Sequence, residues 1–487
     1  MEEKPMTEIV ARLQSIAPLV SKTTLRQMSR IIDALLSMTG RITMLGLSRW
    51  TEDGGSYGQR ANHFRTIQRW YHYPLDWLQM QWIFFMSQLW KTDHEYILAG
   101  DEVVEGKAGK ETYGLGRFFS SLQNRVIPSL AFFVFSLVDV EERQSYPLQV
   151  AQIVKTESEL SQQKKEKLPK AEKRRVGRPK GSKNKKSEKP TLSSELVRIQ
   201  TILHAFLNIL IGSLPVQYLV MDGHFGNYPS AWMVLQSGLQ FISKLRSDAA
   251  LYEPFTGKYA GRGARPKYGD KVNICKMKKK YLKSDKKEDG IHTQIYQAIL
   301  LNKGFAFSIN VVVILKTNLS TQQQAHIILF STDLKLPCEK LIDYYTLRFQ
   351  IEFNFRDAKQ YWGLDDFMNI KEVAVTNAAN LSFFMVNFSS ALLQRHRENN
   401  PEFSILDLKA HYRGCRYASE TIKLLPHIVP MSFGKNLMAF YWLRSSNKLH
   451  AWEWFIPFLN QFLLPDWRRY CIKEDSFNRN PIKVPGA

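Results

Sequence analysis

At 487 residues, with 67 Lys and Arg against 45 Asp and Glu, the chain carries a formal charge of +22, which favours a polyanionic partner, nucleic acid first and an anionic membrane second. Aromatic residues make up 12% of it, which excludes a disordered basic tail and leaves material for roughly two to four domains. Cys275, Cys338, Cys415 and Cys471 form no C-x-x-C pair, the start Met-Glu-Glu-Lys-Pro lacks the pattern of a signal peptide, and no apolar run reaches the ~18 residues of a membrane span, so a cytoplasmic protein with reduced thiols and no membrane partner is expected.

Residues 1–92 read as a helical DNA-binding domain. Ile9, Leu13, Ile16 and Leu19 are spaced as one apolar helix face, and Ile31, Ile32, Leu35 and Leu36 as another. A turn at Gly54-Gly55 precedes a basic aromatic stretch with Arg60, Arg65 and Arg69, for which Ser56 is the expected cap. Helix, turn and basic helix is the arrangement by which a helix-turn-helix braces on phosphates and enters the major groove. A purely structural helical subdomain with a basic face would look similar.

Residues 93–155 change to a strand pattern. Tyr96–Asp101 is a short apolar run ending in an acid, Ser129–Val138 a buried strand, and Tyr146–Val154 a third. Residues 156–193 form a basic linker: between Lys164 and Lys189 there are 13 Lys or Arg against three Glu, and almost nothing apolar. Within it, Gly177-Arg178-Pro179-Lys180 resembles the core of an AT-hook, which would place Arg178 and Lys180 in a narrow A·T minor groove; Val176 departs from the fuller motif. A solvated linker with nonspecific phosphate affinity is the alternative.

Residues 194–243 read as helix, strand and helix. The strand Val216–Met221 ends in Asp222-Gly223, a common way to set an acid at the carboxyl edge of an α/β sheet. Ser230–Ile242 is expected to be the second helix. Residues 244–325 read as a basic β-rich insertion, with strands at Thr293–Leu301 and Phe305–Leu315. His326–Asp333 returns to the main sheet within 326–370, Cys338 to about Trp362 is expected as one helix, and 371–487 as a helical C-terminal region.

That long helix carries Tyr345, Arg348, Glu352 and Lys359, at offsets 0, 3, 7 and 14, which fall within roughly 60° of arc at about 100° per residue. One stripe thus displays an acid, two cations and a phenol, although Arg348 and Glu352, four apart, could simply form an ion pair. The spacing resembles the Y-R-E-K signature of bacterial insertion-sequence transposases of the DDE class. The resemblance covers about residues 94–365 and implies an RNase H-like catalytic core interrupted by a β-rich insertion, between an N-terminal helical DNA-binding domain and a helical C-terminal region.

It further implies that Glu352 is the third carboxylate of a metal triad, and that Tyr345, Arg348 and Lys359 contact DNA at the transposon end. Two upstream aspartates beside strands are required, and Asp101 and Asp222 stand in the implied order. Glu102 and Glu105 are local rivals to Asp101, and Asp333 also ends a strand. His224 reads as a polar loop or substrate contact. Trp232 and Trp362 read as core or as stacking partners for an unpaired base. Three carboxylates suit hard cations, so Mg²⁺, with Mn²⁺ as the alternative, is the expected cofactor. The implied partners are double-stranded DNA, as transposon ends and target, and a second copy of the chain, making a homodimer in the DNA complex of a nucleoid-associated bacterial protein. A DNA-binding regulator without catalysis, or a nuclease that cuts without joining, are the competing readings.

Overall fold

The computed structural model describes residues 5–424 apart from 52–56, 121–122, 157–158, 160–188, 211, 259–260 and 262–264. The AT-hook-like segment with Arg178 and Lys180, the Ser56 cap and the chain after Leu424 lie outside the described residues. The chain divides into two compact units, residues 1–35 with 39–401, and residues 36–38 with 402–487.

The first unit is organised on one mixed sheet of twelve strands. In chain order these are β1 (Tyr96–Gly106), β2 (Gly116–Ser120), β3 (Arg125–Asp139), β4 (Gln144–Ile153), β5 (Tyr218–Met221), β6 (Gln240–Leu245), β7 (Leu251–Pro254), β8 (Tyr268–Lys271), β9 (Leu282–Glu288), β10 (Ile291–Asn302), β11 (Ser308–Asn318) and β12 (Gln324–Ser331). The order across the sheet is β2-β3-β1-β5-β6-β12-β11-β10-β7-β8, with β4 also on β3 and β9 on β10. Only β1 with β5 and β5 with β6 pair in parallel. As expected of His326–Asp333, β12 joins the sheet by pairing antiparallel with β6, and β11, β10, β7 and β8 continue the same sheet beyond it.

The helices of this unit are α1 (Pro5–Leu13), α2 (Lys22–Ser37, its last residues in the second unit), α3 (Met44–Arg49), α4 (Tyr57–Tyr71), α5 (Trp77–Gln88), α6 (Ser194–Leu210), α7 (Tyr228–Gln236), α8 (Cys338–Leu347), α9 (Gln350–Gln360) and α10 (Glu372–Arg397). Thr43 caps α3 by accepting from the Gly46 amide at 3.0 Å. Trp77 Nε1 donates to Asn377 Oδ1 at 2.7 Å, and Asn377 Nδ2 donates to the carbonyls of Tyr71 and Tyr73, so α10 satisfies the backbone where α4 ends.

Two helix expectations change. Ser230–Ile242 is not one helix. α7 stops at Gln236, Gly238 takes φ +82 beyond its end, and Gln240–Leu245 is the buried strand β6. The expected Cys338–Trp362 helix is two, with a turn at Arg348 and Phe349 whose dihedrals stay in the right-handed helical region. The strand β2 had no expectation. It is five residues long and pairs only with β3.

In the second unit, α11 (Ile405–Leu424) starts with a reciprocal cap. Ser404 Oγ donates to Asp407 Oδ2 at 2.8 Å, and the Asp407 amide donates back to Ser404 Oγ at 3.3 Å.

Candidate active site

The parallel pair β1 and β5 sets the first two acids side by side. Gly100 is level with Met221, and Asp101 and Asp222 are the next residues on the two strands. Asp222 ends its strand by turning its carboxylate onto the His224 amide at 2.8 Å. The glycines around these acids answer to close approach. A Cβ on Gly100 would lie 2.8 Å from the Phe135 ring, and one on Gly226 would lie 2.0 Å from the Lys244 carbonyl oxygen. Larger residues there would push apart the strands that aim the acids.

Alternation along β1 sends Asp101 and Glu105 to one face and Glu102 to the other. Glu105 pairs with Lys359 on α9, while Glu102 feels Glu195 on α6. Glu102 therefore lies across the sheet from α9 and Glu352. Burial, then Glu195, push its carboxyl up to about 7. Glu105 is buried at 6% exposure and is held by Lys359. Burial raises its pKa, and Lys359 partly opposes that rise.

α8 and α9 bring the stripe to the acids. Arg348 Nη1 donates to Asp101 Oδ2 at 2.6 Å, and both side chains are largely buried, at 14% and 16% exposure. The rival pairing of Arg348 with Glu352 is replaced by this one. Arg348 also lies 5.9 Å from the Tyr345 ring centre. Burial pushes the Asp101 carboxyl up to about 6; Arg348 and the Glu102 amide oppose the rise, and the charges of Glu352 and Asp222 add to it. Tyr345 is raised by burial, lowered by Arg348, and raised again by Asp222 and Asp101. Asp101, Asp222, Glu352, Tyr345 and Arg348 thus share one electrostatic neighbourhood. Lys359 lies farther along, at Glu105. The two ion pairs show that α9 runs in the same direction as β1.

Asp101, Asp222 and Glu352 are half-buried and offer carboxylate oxygens, the donor type that suits a hard divalent cation, and at Asp101 the charges of Glu352 and Asp222 add to burial while the Arg348 guanidinium opposes them. Among the described residues, the ligand atoms that all lie within 4.8 Å of one another belong to a different group, His94, Asp139 and Glu141. It sits where Asp139 pairs with Tyr96 at the start of β1, five residues or about 17 Å from Asp101. Its atoms are engaged in bracing the chain: His94 Nδ1 lies 2.7 Å from Asp139 Oδ2, and the amides of Glu142 and Glu95 donate to Asp139 and Glu141.

The remaining expected residues are spread out. Asp333 accepts from the Tyr218 hydroxyl at 2.8 Å, at the start of β5 and so at the opposite sheet edge from Asp222, because β12 runs antiparallel. His224 is exposed, 3.6 Å from Glu195. Trp362 is buried at 1% exposure and is core, while Trp232 is half-buried. Arg65 and Arg69 are exposed on α4, and Arg60 belongs to the same helix. Sequence reasoning missed Glu105 as the partner of Lys359; its even spacing from Asp101 along one strand was the available signal.

A sequence-family profile described as DDE superfamily endonuclease matches residues 16–304, more than half of the chain. The chain belongs to this family. The match takes in Asp101 and Asp222 and ends before Glu352. A DDE superfamily endonuclease is a nuclease-type enzyme whose substrate is DNA, and the superfamily usually uses a divalent metal. The mixed α/β fold with its large mixed sheet is consistent with such a nuclease. No curated protein matches the chain at a significant level. Among the described residues of this DDE protein, no helix is long and apolar enough to cross a membrane.

Proposed function

We propose that the protein is a DNA transposase that cleaves and joins strands at the ends of its own insertion sequence, with Asp101, Asp222 and Glu352 as the metal-binding catalytic acids. The observation that carries this reading is the meeting of Asp101 and Asp222, where the parallel pairing of β1 with β5 ends, with the helix pair bearing Tyr345, Arg348 and Glu352. The strands β4-β3-β1-β5-β6, with β12, would belong to the RNase H-like core, and β7–β11 to its insertion.

Mg²⁺ held by the three carboxylates would polarise the scissile phosphate and favour an attacking oxygen. The chain's own part is positioning and charge. Arg348 and Tyr345 would meet the phosphates next to the acids, and Lys359 one further along. Water would first be the nucleophile, and the 3′-hydroxyl it frees would attack a second phosphodiester, so one site both cuts and joins. Arg60, Arg65 and Arg69, with Arg178 and Lys180 of the linker, would hold DNA away from the chemistry. Two copies of the chain would pair two ends.

The test is incubation with linear DNA carrying the element ends and Mg²⁺, beside Asp222→Ala and Glu352→Ala. Cut and joined products from the parent alone are expected. Equal products from the substituted proteins would refute the assignment, and cutting without any joined product would favour a nuclease.

A further inference from the structure

β9 to β12 do not stop at the level of the acids. Register carries Asp222 across to Lys244 on β6, two residues after the Val220–Ile242 pair, then to Leu329 on β12, Val312 on β11 and Gln297 on β10. From Val312, β11 runs on to Asn318, six residues or about 20 Å past the acids. This part of the sheet stands beside the carboxyl edge as a wall.

Alternation decides what the wall shows on the face that carries Asp222. It shows Lys244 next to the acids, then Lys316 and Lys286 on one line across β11, β10 and β9, through Thr293. All three lysines are exposed, and no ion pair among the described residues involves them. Ile327, on the same face, is 47% exposed. Lower down, α8 packs on this face, and Gln297 and Asn310 donate to the Leu336 carbonyl there. On the opposite face Leu315 and Tyr296 are buried, and the turns of 274–281 approach β10 and β12.

Lysines on a sheet edge often serve only to prevent edge pairing. That explains Lys286 on β9, but not Lys316, which pairs with Thr293 on one side and Ala325 on the other; Lys244 pairs with Leu329 alone and stands just past the end of β5. Lys244 also joins the wall to the site, since a Cβ on Gly223, the residue after Asp222, would lie 3.1 Å from Lys244 Cε.

We propose that this face, with Lys244, Lys316 and Lys286, is a docking surface for the backbone of duplex DNA, continuous with the acid site. It rests on the reading that the chain acts on DNA. A rising line of cations beside three acids gives the duplex one favourable direction: phosphates lie on the wall and the scissile one meets the acids. The contact is to phosphate, so it is indifferent to sequence.

The experiment measures binding of the full chain to a labelled duplex of mixed sequence, without metal, across a salt series. Two triple variants lose equal charge: Lys244→Gln with Lys286→Gln and Lys316→Gln on the wall, and Lys276→Gln with Lys279→Gln and Lys287→Gln away from that face. The wall variant should bind more weakly, with a salt slope shallower by about 3, and the other variant should keep the parent slope. Equal losses in both would show an effect of net charge alone, and no loss in the wall variant would refute the surface. A parent that binds no duplex overturns this surface and the DNA reading together. Parent-like cutting by Asp222→Ala would refute the catalytic assignment and leave the surface standing.

Discussion

Arg348 does two jobs that compete. In the protein without metal its guanidinium is the cation nearest Asp101, 2.6 Å away and largely buried. Removing one partner of such a pair leaves an uncompensated buried charge, which costs about 3–5 kcal/mol. Arg348→Ala should therefore lower the stability of the metal-free protein by a few kcal/mol, and added Mg²⁺ should recover a larger part of that loss than it adds to the parent. Denaturant melts with and without metal measure both. Asp101 sets a pH dependence of definite sign. Its folded carboxyl titrates near 6 rather than 3.8, so the folded chain holds a proton that the unfolded chain has released across that window. Stability of the metal-free protein contributed by this group is greatest below about 4 and falls as pH rises through 6. Under the proposed role of Asp101 as a metal ligand, metal affinity would run the other way: below pH 6 the proton competes, so calorimetric Mg²⁺ binding should weaken steeply from pH 7 to pH 5.

At the scale of elements, the pairing of α9 with β1 is what aims the stripe. Two clasps fix its register, Arg348 on Asp101 and Lys359 on Glu105. Glu105→Ala should free Lys359 from a buried site and destabilise the chain by about 3 kcal/mol, whereas replacing both Glu105 and Lys359 by Met should recover most of that loss. Thermal melts of the single and double variants decide it. The stripe itself was legible in sequence because helical periodicity is local. Its partners were not, because the pairing of β1 with α9 spans about 250 residues of chain and depends on which strand face each acid occupies. The same limit hid β6. Phe241 and Ile242 continue an apolar run begun in α7, and only the reversal at Gly238, together with pairing to β5 and β12, makes them a strand. The break at Arg348 and Phe349 was also unreadable, since both residues keep helical dihedrals and only the hydrogen-bond pattern changes.

Over the whole molecule, one sheet does the work of scaffold and site. Its parallel strands set two acids together, its antiparallel extension projects beyond them, and the chain's positive charge gives a DNA partner its physical basis. Asp222 at the end of β5 was legible from an apolar run and the residue that follows it, but Asp101, expected to end its strand, lies mid-way along β1, because pairing with β3 carries that strand on to Gly106. That β7 to β11 continue the same sheet was not legible, because strand order across a sheet is a long-range property. In the proposed function Glu352 serves chemistry while Arg348 serves binding as well. Glu352→Gln keeps the shape of the side chain and removes its charge. The most direct measurement is binding and product formation on the same samples of end-bearing DNA with Mg²⁺. Glu352→Gln should bind as tightly as the parent and yield no cut strand, while Arg348→Ala should bind more weakly and cut less. Parent-like cutting by Glu352→Gln would contradict it.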